Sequence, residues 1–435
     1  MESKRKVCII TLGCKVNQYE SNSIAKLLSE ANFSVCFSIQ PADAYIVNTC
    51  AVTNEAERKS RGILSKISKV SLDAPIYICG CSSQNDYTKF LGNKNVRCVY
   101  GTSSKLDLVE KIINRFGNED NARTVDINTE ICSFYQDEYM AKGERTRAVI
   151  KIQDGCNNFC SYCIIPYLRG RERSRPLESI KNEVEYQSKF SNEIVFTGIN
   201  LSSYGKDFKE KKSLIDVIKL MRSYPNIRFR FSSLEQDIIT EEFLKELKQT
   251  PNFAPHFHLS LQSGCDSTLK YMNRKYTTEM YYNKLLLIRS HFNNPAITTD
   301  VIVGFPTETE ENFNETYKFL KKCNFAKMHI FPYSKRSGTV ASKMKNLATH
   351  VKERCEKLAQ LDDKMHQDYI ISCQDKTYKV IIEREHEGYF EGHTENYIKC
   401  YIESDIKLNQ NQVLSVKILK LSLIHISEPT RLDVI

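Results

Sequence analysis

At 435 residues the chain is long enough for two to four domains of about 100–200 residues each. Hydrophobic residues make up 41% and charged residues 26%, an ordinary balance for a globular protein in water and not that of a disordered chain. Sixty-two Lys and Arg against 53 Asp and Glu leave a net charge of +9, which permits a polyanionic partner. The 16 cysteines, in a chain this long, exclude a small disulfide-framed secreted domain and fit a reducing compartment holding clusters and free thiols. Lys4, Arg5 and Lys6 before VCIITLGC imitate a signal peptide, but the apolar run ends at Lys15 without a cleavage pattern. No run approaches about 18 apolar residues, so no membrane span is expected and the location is expected to be cytoplasmic.

Residues 1–116 alternate strand runs (VCIITLG, AYIVNTC, PIYICGC, VRCVYG) with helical stretches (SNSIAKLLSEANF, EAERKSRGILSKIS, KLDLVEKIINRF). That alternation predicts an open, mostly parallel α/β sheet. Ligands of such sheets gather at the carboxyl ends of the strands. Cys14, Cys50 and Cys81 fall there. Cys8, Cys36 and Cys98 lie inside apolar runs and read as small buried hydrophobes. Cys79, two residues from Cys81, is not excluded as a ligand by spacing. Residues 117–144 are polar with short apolar islands and read as a linker wrapping a surface, with Cys132 structural or free.

A second alternation fills 145–372, with six strand–helix steps predicting an incomplete (β/α)6 barrel. Ser213 with Asp216, and Thr307 with Glu310, have capping-box spacing. After the long helix HVKERCEKLAQLDDKMHQDYIISC, residues 373–420 take a strand period and predict a small antiparallel β-barrel. LSLIHISEPTR continues no pattern, and 421–435 reads as a non-native tail.

The second alternation opens on IQDGCNNFCSYCIIPYLRGRERSR, where Cys156, Cys160 and Cys163 form C-x3-C-x2-C. Zinc wants four ligands, and no fourth is near. Three thiolates suit a four-iron cube with one iron left open for a substrate. This stretch resembles the radical S-adenosylmethionine (SAM) superfamily, whose open iron chelates SAM. TLGCKVNQYES, NTCAVTNEAERKSR and GCSSQ resemble the cysteine segments of the methylthiotransferases, a radical-SAM family with a second cluster. The resemblance implies two [4Fe–4S] clusters, one on Cys156, Cys160 and Cys163, the other on Cys14, Cys50 and Cys81. It selects Cys81 over Cys79 through the G-C-x-x-Q segment.

The resemblance further implies SAM contacts from Tyr162, just before the last cysteine, and from Thr197 and Gly198. Polar strand ends Ser233, Glu235 and Gln262, and Gly304 where backbone approaches the adenine, complete that set. Arg169, Arg171, Arg173 and Arg175 alternate along LRGRERSR, either a solvated edge or a basic ridge for phosphate. GYFEGHTENYIKC resembles the TRAM domain, an RNA-binding module, with Tyr389, Phe390, Tyr397 and Lys399 as contacts alongside His393 and Asn396.

The reaction implied is methylthio transfer to an unreactive carbon: one SAM methylates a cluster-bound sulfur, and a second yields the radical that removes hydrogen. An electron donor such as a flavodoxin or ferredoxin is implied with it. G-C-K-V-N-Q-Y-E-S is similar to the branch that acts on N6-threonylcarbamoyladenosine at position 37 of tRNA, in the anticodon stem-loop. The alternatives are isopentenyladenosine in tRNA, an aspartate of a ribosomal protein, or a non-catalytic RNA-binding protein with structural metal.

Overall fold

The computed structural model describes residues 4–103, 105–115, 123–127, 141, 143, 145–404 and 406–419. Cys132 and the 421–435 tail lie outside the described residues.

Strands β1 (Lys6–Thr11), β2 (Ser34–Cys36), β3 (Ala44–Thr49), β4 (Ile76–Gly80), β5 (Val96–Tyr100) and β6 (Thr124–Asp126) form one parallel sheet in the order 2-1-3-4-5-6. Alternation sorts their side chains onto two faces. Val7, Ile9, Ile46 and Tyr77 pack with Ile24 and Leu28 of α1 (Lys15–Glu30) and with Leu108 and Ile112 of α4 (Lys105–Arg115). Ile10, Tyr45, Val47 and Ile78 pack with Ile63, Leu64 and Ile67 of α2 (Asn54–Val70). The strand order reverses between β1 and β3, the place where open α/β sheets bind ligands.

Two expectations change here. Thr124–Asp126, read as linker, is an edge strand on β5, too short to leave a pattern in the sequence. Cys8 and Cys36, read as separate buried hydrophobes, stand opposite each other on β1 and β2 and are joined by a disulfide, with 4.7 Å between their Cα atoms.

The barrel has six parallel strand positions. β7 (Ala148–Lys151), β10 (Glu193–Thr197) and β11 (Arg228–Phe231) form one sheet in the order 11-10-7. β12 (Ser233–Leu234), β13 (His256–Leu259), β14 (Ala296–Val303) and β15 (Lys327–Pro332) form the other. Only Ser232 separates β11 from β12, so one stretch of chain serves both sheets. The short pair β8 (Gln153–Asp154) and β9 (Arg173–Ser174) brackets the cysteine loop and α5 (Ile165–Arg169).

α6 (Leu177–Gln187), α7 (Leu214–Met221), α8 (Glu241–Lys248), α9 (Asp266–Tyr271), α10 (Thr278–His291) and α11 (Glu310–Cys323) cover the outside. Ser213 and Asp216 cap α7 reciprocally, as their spacing predicts. The box expected at Thr307 and Glu310 is instead Thr309 with Asn312. Glu308 turns inward to accept from the Gly304 N–H (3.0 Å) and Arg354 (2.7 Å), which delays the helix start.

The alternating faces of the barrel strands differ in kind. Ile150, Phe196, Phe229, Phe257, Ile297, Val301 and Met328 belong to the apolar core shared with the helices. The intervening positions, on the opposite face, carry Lys151, Thr197, Arg230, His258, Asp300 and His329. The interior of the barrel is therefore lined with polar groups.

α12 (Val351–Cys373) leads to β16 (Thr377–His386), β17 (Tyr389–Thr394), β18 (Lys399–Ile402) and β19 (Val413–Lys417), an antiparallel sheet in the order 18-17-16-19. Its own core holds Val380, Ile382, Phe390, Ile398 and Cys400. It docks under the barrel through Arg228, which donates to the carbonyls of Lys379 (3.0 Å) and His393 (3.2 Å). Asn192 donates to the Asn411 carbonyl (2.7 Å) at the same seam.

Candidate active site

Cys14 immediately precedes α1, Cys50 follows β3, and Cys81 opens α3 (Cys81–Asn85). All three stand at strand ends, and their charges act on one another. Burial first, then Cys14 and Cys81, push the Cys50 thiol up to about 12. Two glycines bring them together. Gly13 has φ +99°, and a Cβ there would stand 2.7 Å from Cys50 Cβ and 2.8 Å from its Sγ. Gly80, at φ +105°, breaks the alternation of β4. Cys79 consequently stays in the sheet core while Cys81 turns toward α5 and packs on Ile164 and Leu168.

The second trio lies on the loop from β8 to α5. Burial raises the Cys156 thiol to about 11, and burial with Cys160 and Cys156 raises Cys163 to about 12. Donors point at the sulfurs. The Asn158 N–H reaches Cys156 Sγ at 3.4 Å, and Arg274 reaches Cys160 Sγ at 3.3 Å. Arg274, more than 100 residues on in the chain, also clamps Glu235 through both guanidinium nitrogens. Sequence reasoning missed it, because nothing local marks an arginine in the turn MNRKY.

A buried charge network runs from Cys81 of the first trio to Asp154, two residues before Cys156 of the second. Arg169 is 2% exposed and donates through Nε to Cys81 Sγ (3.3 Å). Its two Nη groups reach Glu20 (2.9 and 3.2 Å), Asp154 (3.2 Å) and Asn17 (2.9 Å). Burial alone would raise the Glu20 and Asp154 carboxyls, but the surrounding cations outweigh it and hold both well below the usual carboxylate range. Those cations are Arg169, Lys105 and Lys151 around Glu20, and Lys151, Arg169 and Arg173 around Asp154. Thr102 donates to the Leu168 carbonyl (2.8 Å), and Tyr19 to Glu183 (2.9 Å). The segment FPYSKRSGT closes the far side, with Ser334 accepting from the Asn54 N–H (2.9 Å) and Arg336 paired to Glu57 (3.1 Å).

These positions correct the reading of LRGRERSR as a ridge. Arg169 and Arg175 are buried, the latter on Glu183; Arg173 is half-buried beside Asp154 (3.5 Å). Arg171 alone of the four is exposed, with its guanidinium 4.6 Å from the Phe159 ring centroid. Among the expected SAM contacts, Tyr162 packs with Met272 and Phe305, and burial raises its hydroxyl well above the usual value. Thr197 is buried at the end of β10, and Gly198 admits Gln153, whose Cβ would lie 2.9 Å from an added Cβ. Ser233 opens β12 and Glu235 directly follows it, and the Glu235 N–H donates to Ser202 (2.8 Å). Gln262 has φ +73° and bridges to Val301. Gly304 has φ +78°, and a Cβ there would stand 2.6 Å from Val351 Cγ2.

On the C-terminal sheet, Phe390 is core and Asn396 is buried against Tyr369 (2.9 Å), so neither offers an RNA surface. Tyr397 faces the barrel: its ring stacks on His256 with centroids 4.6 Å apart, and Arg147 and Arg230 lie 5.2 and 4.8 Å from it. Tyr389 is half-buried, and Lys399 pairs with Glu391 at 3.2 Å.

The six cysteines are free of disulfides. Thiols that burial raises, as at Cys50, Cys81, Cys156 and Cys163, stay protonated unless a cation compensates the thiolate. An iron–sulfur core supplies that cation, and three thiols per trio leave one iron open, so the residues present fit the group. Two family models match the chain: "Radical SAM superfamily" over residues 150–320 and "Uncharacterized protein family UPF0004" over residues 6–101. The chain is 37% identical over 424 residues to the threonylcarbamoyladenosine tRNA methylthiotransferase MtaB of Bacillus subtilis, covering 95% of this chain and 94% of that protein. The chain belongs to the radical-SAM methylthiotransferases.

Other methylthiotransferases match at similar levels. MtaB of Thermotoga maritima is 38% identical, covering 83% of this chain and 82% of that one. The tRNA-2-methylthio-N(6)-dimethylallyladenosine synthase of Acetivibrio thermocellus is 31% identical, covering 93% and 87%. Among solved structures, the radical SAM methyltransferase TsrM of Kitasatospora setae shares the fold, with a TM-score of 0.56 at 13% identity over 78% of this chain and 74% of that one. As a radical-SAM methylthiotransferase the protein is a transferase, and its cofactors are SAM and [4Fe–4S] clusters. No helix among the described residues is long and apolar enough to cross a membrane.

Proposed function

We propose that this methylthiotransferase modifies tRNA at N6-threonylcarbamoyladenosine, position 37, placing a methylthio group on C2. The observation carrying it is the junction at which buried Arg169 holds both Cys81 of the first trio and Asp154, two residues before Cys156 of the second. Two thiol sets tied to one junction suit a reaction needing both a radical source and a sulfur donor. Cys156, Cys160 and Cys163 would hold the cluster that binds SAM; Cys14, Cys50 and Cys81 would hold the second. When bound, the clusters and SAM supply the one-electron cleavage and the transferable sulfur. Reduction calls for a one-electron donor such as a flavodoxin or ferredoxin.

The chain's own residues position and shield. Arg169 and Arg274 donate to cluster-side sulfurs and favour the thiolate form. The Arg274–Glu235 clamp fixes Glu235 at the barrel mouth. Ile164 and Leu168 exclude water from beside Cys81. The substrate assignment is supported by the MtaB relatives and by the segment GCKVNQYES. The isopentenyladenosine reading is kept as second by the Acetivibrio relative. Nucleoside mass spectrometry of tRNA from a deletion strain tests the assignment. The 2-methylthio-N6-threonylcarbamoyladenosine peak should vanish and return with the wild-type gene but not with Cys50→Ala or Cys163→Ala. An unchanged peak refutes it.

A further inference from the structure

Five interior-facing positions of β13 to β15 carry chemistry that the two clusters do not use. Their register sets His258 beside Thr298 and Asp300 beside His329. Thr298 Oγ1 touches both His256 Nε2 (3.0 Å) and His258 Nδ1 (2.9 Å), and His258 Nε2 meets Asp300 Oδ2 (3.2 Å). Asp300 Oδ1 and His256 Nδ1 are buried with no hydrogen-bond partner among the described residues. Such orphaned atoms are costly unless something binds them. Below this cluster, Tyr397 lies flat on His256 and keeps 38% of its surface open.

A cation faces the same cluster from the other domain. Lys15 follows Cys14, is half-buried, and lies within electrostatic reach of Asp300, His256, His329 and Tyr397. The other cations of this interior have carboxylates: Lys151 has Glu20 and Asp154, while Arg228 and Arg230 have Glu193. No carboxylate lies within ion-pair distance of Lys15 among the described residues. His329 and His256 do not compete for its role, since burial first, with neighbouring cations, lowers His329 to about 4 and holds His256 well below the ordinary imidazole value.

We infer that Lys15 with the His258–Asp300–His329 cluster forms the subsite for the amino-acid substituent of the target base, Lys15 taking its carboxylate. This rests on the substrate reading above and names what recognises it. Asp300 Oδ1 accepts from the urea N–H or the hydroxyl of the substituent, and the His329 imidazole supplies a further hydrogen bond. A branched hydrocarbon substituent would leave Lys15 and Asp300 desolvated and unpaired, so the same lining rejects it.

The test uses reconstituted full-length enzyme and anticodon stem-loop RNAs bearing either the threonylcarbamoyl group or its carboxamide analogue. A charge-assisted hydrogen bond makes wild-type kcat/KM about 10–100-fold lower on the carboxamide, mainly through KM. Lys15→Gln should fall by the same factor on the carboxylate RNA and cease to distinguish the two; Lys15→Arg should restore the distinction. Iron and sulfide are measured on each variant because Cys14 is adjacent. Wild-type enzyme that treats both RNAs alike overturns the inference without any variant, as does Lys15→Gln that still discriminates. One extra equivalent of zinc, lost in His329→Ala, also overturns it by making the cluster a metal site. Wild-type enzyme inactive on the threonylcarbamoyl RNA but active on an isopentenyl RNA refutes the substrate reading itself.

Discussion

Arg169→Met tests whether the junction between the trios depends on one buried guanidinium. Arg169, Glu20 and Asp154 have side chains 1%, 8% and 9% exposed, so solvent screens their pairing little. Removing one partner of a buried pair costs about 3–5 kcal/mol. Lys105 and Lys151 remain on Glu20, and Lys151 and Arg173 on Asp154, which places the loss at the lower end, about 3 kcal/mol. Arg169→Lys keeps a charge but not the fork, and should lose about 1–2 kcal/mol. The assay is denaturant unfolding at pH 7, with iron and sulfide content on the same samples. Because Cys81 loses its Nε donor, iron should fall from about eight atoms per chain toward about four. The pH dependence follows in sign: both carboxyls are depressed in the folded state, so their contribution is complete above about pH 5. It is lost as pH falls below about 4, through their folded values. Arg169→Met should flatten that acid limb. An unchanged midpoint at pH 7, or an unchanged acid limb, refutes the reasoning.

Gly13→Ala places a side chain at φ +99° against the Cys50 sulfur, and should halve iron content while sparing the Cys156 cluster signal in electron paramagnetic resonance. Phe390→Ala should destabilise the C-terminal sheet by about 3–5 kcal/mol, read by proteolysis and unfolding. Tyr389→Ala should shift stability by less than about 0.5 kcal/mol while weakening anticodon stem-loop retention in a gel-shift assay.

Much of this architecture was legible because its signals are local. The strand–helix alternation, the C-x3-C-x2-C loop and the Ser213–Asp216 cap each depend on residues a few positions apart. What the sequence hid depends on distant partners. The four alternating arginines of LRGRERSR have one pattern but three fates, decided by Glu20, Glu183 and Phe159 elsewhere in the chain. Gly304 also lies against Val351 of α12, a contact that local spacing does not reveal. The choice of Cys81 over Cys79 turns on one left-handed glycine between them, a conformation spacing does not encode. Two histidines in HFHL do share a face by simple alternation, and that signal was available.

The polar barrel interior explains how these features coexist. A closed eight-stranded barrel fills its centre with layers of branched apolar side chains, and its stability depends on them. Here the apolar core lies outside, between the strands and α6 to α11, and Phe196, Phe229 and Phe257 all face that way. The inner face is released from packing and carries charge, most of it neutralised internally. Burial opposes ionisation of Glu193, but Arg230, Arg228 and Arg147 hold it at about 2. Paired charges of that kind fix the walls and the docking of the C-terminal sheet. Groups without partners among the described residues, such as Asp300 Oδ1 and His256 Nδ1, with no carboxylate on Lys15, are then available to recognise a ligand. Lys15 directly follows Cys14, so on the proposed reading recognition and sulfur delivery would share the start of α1.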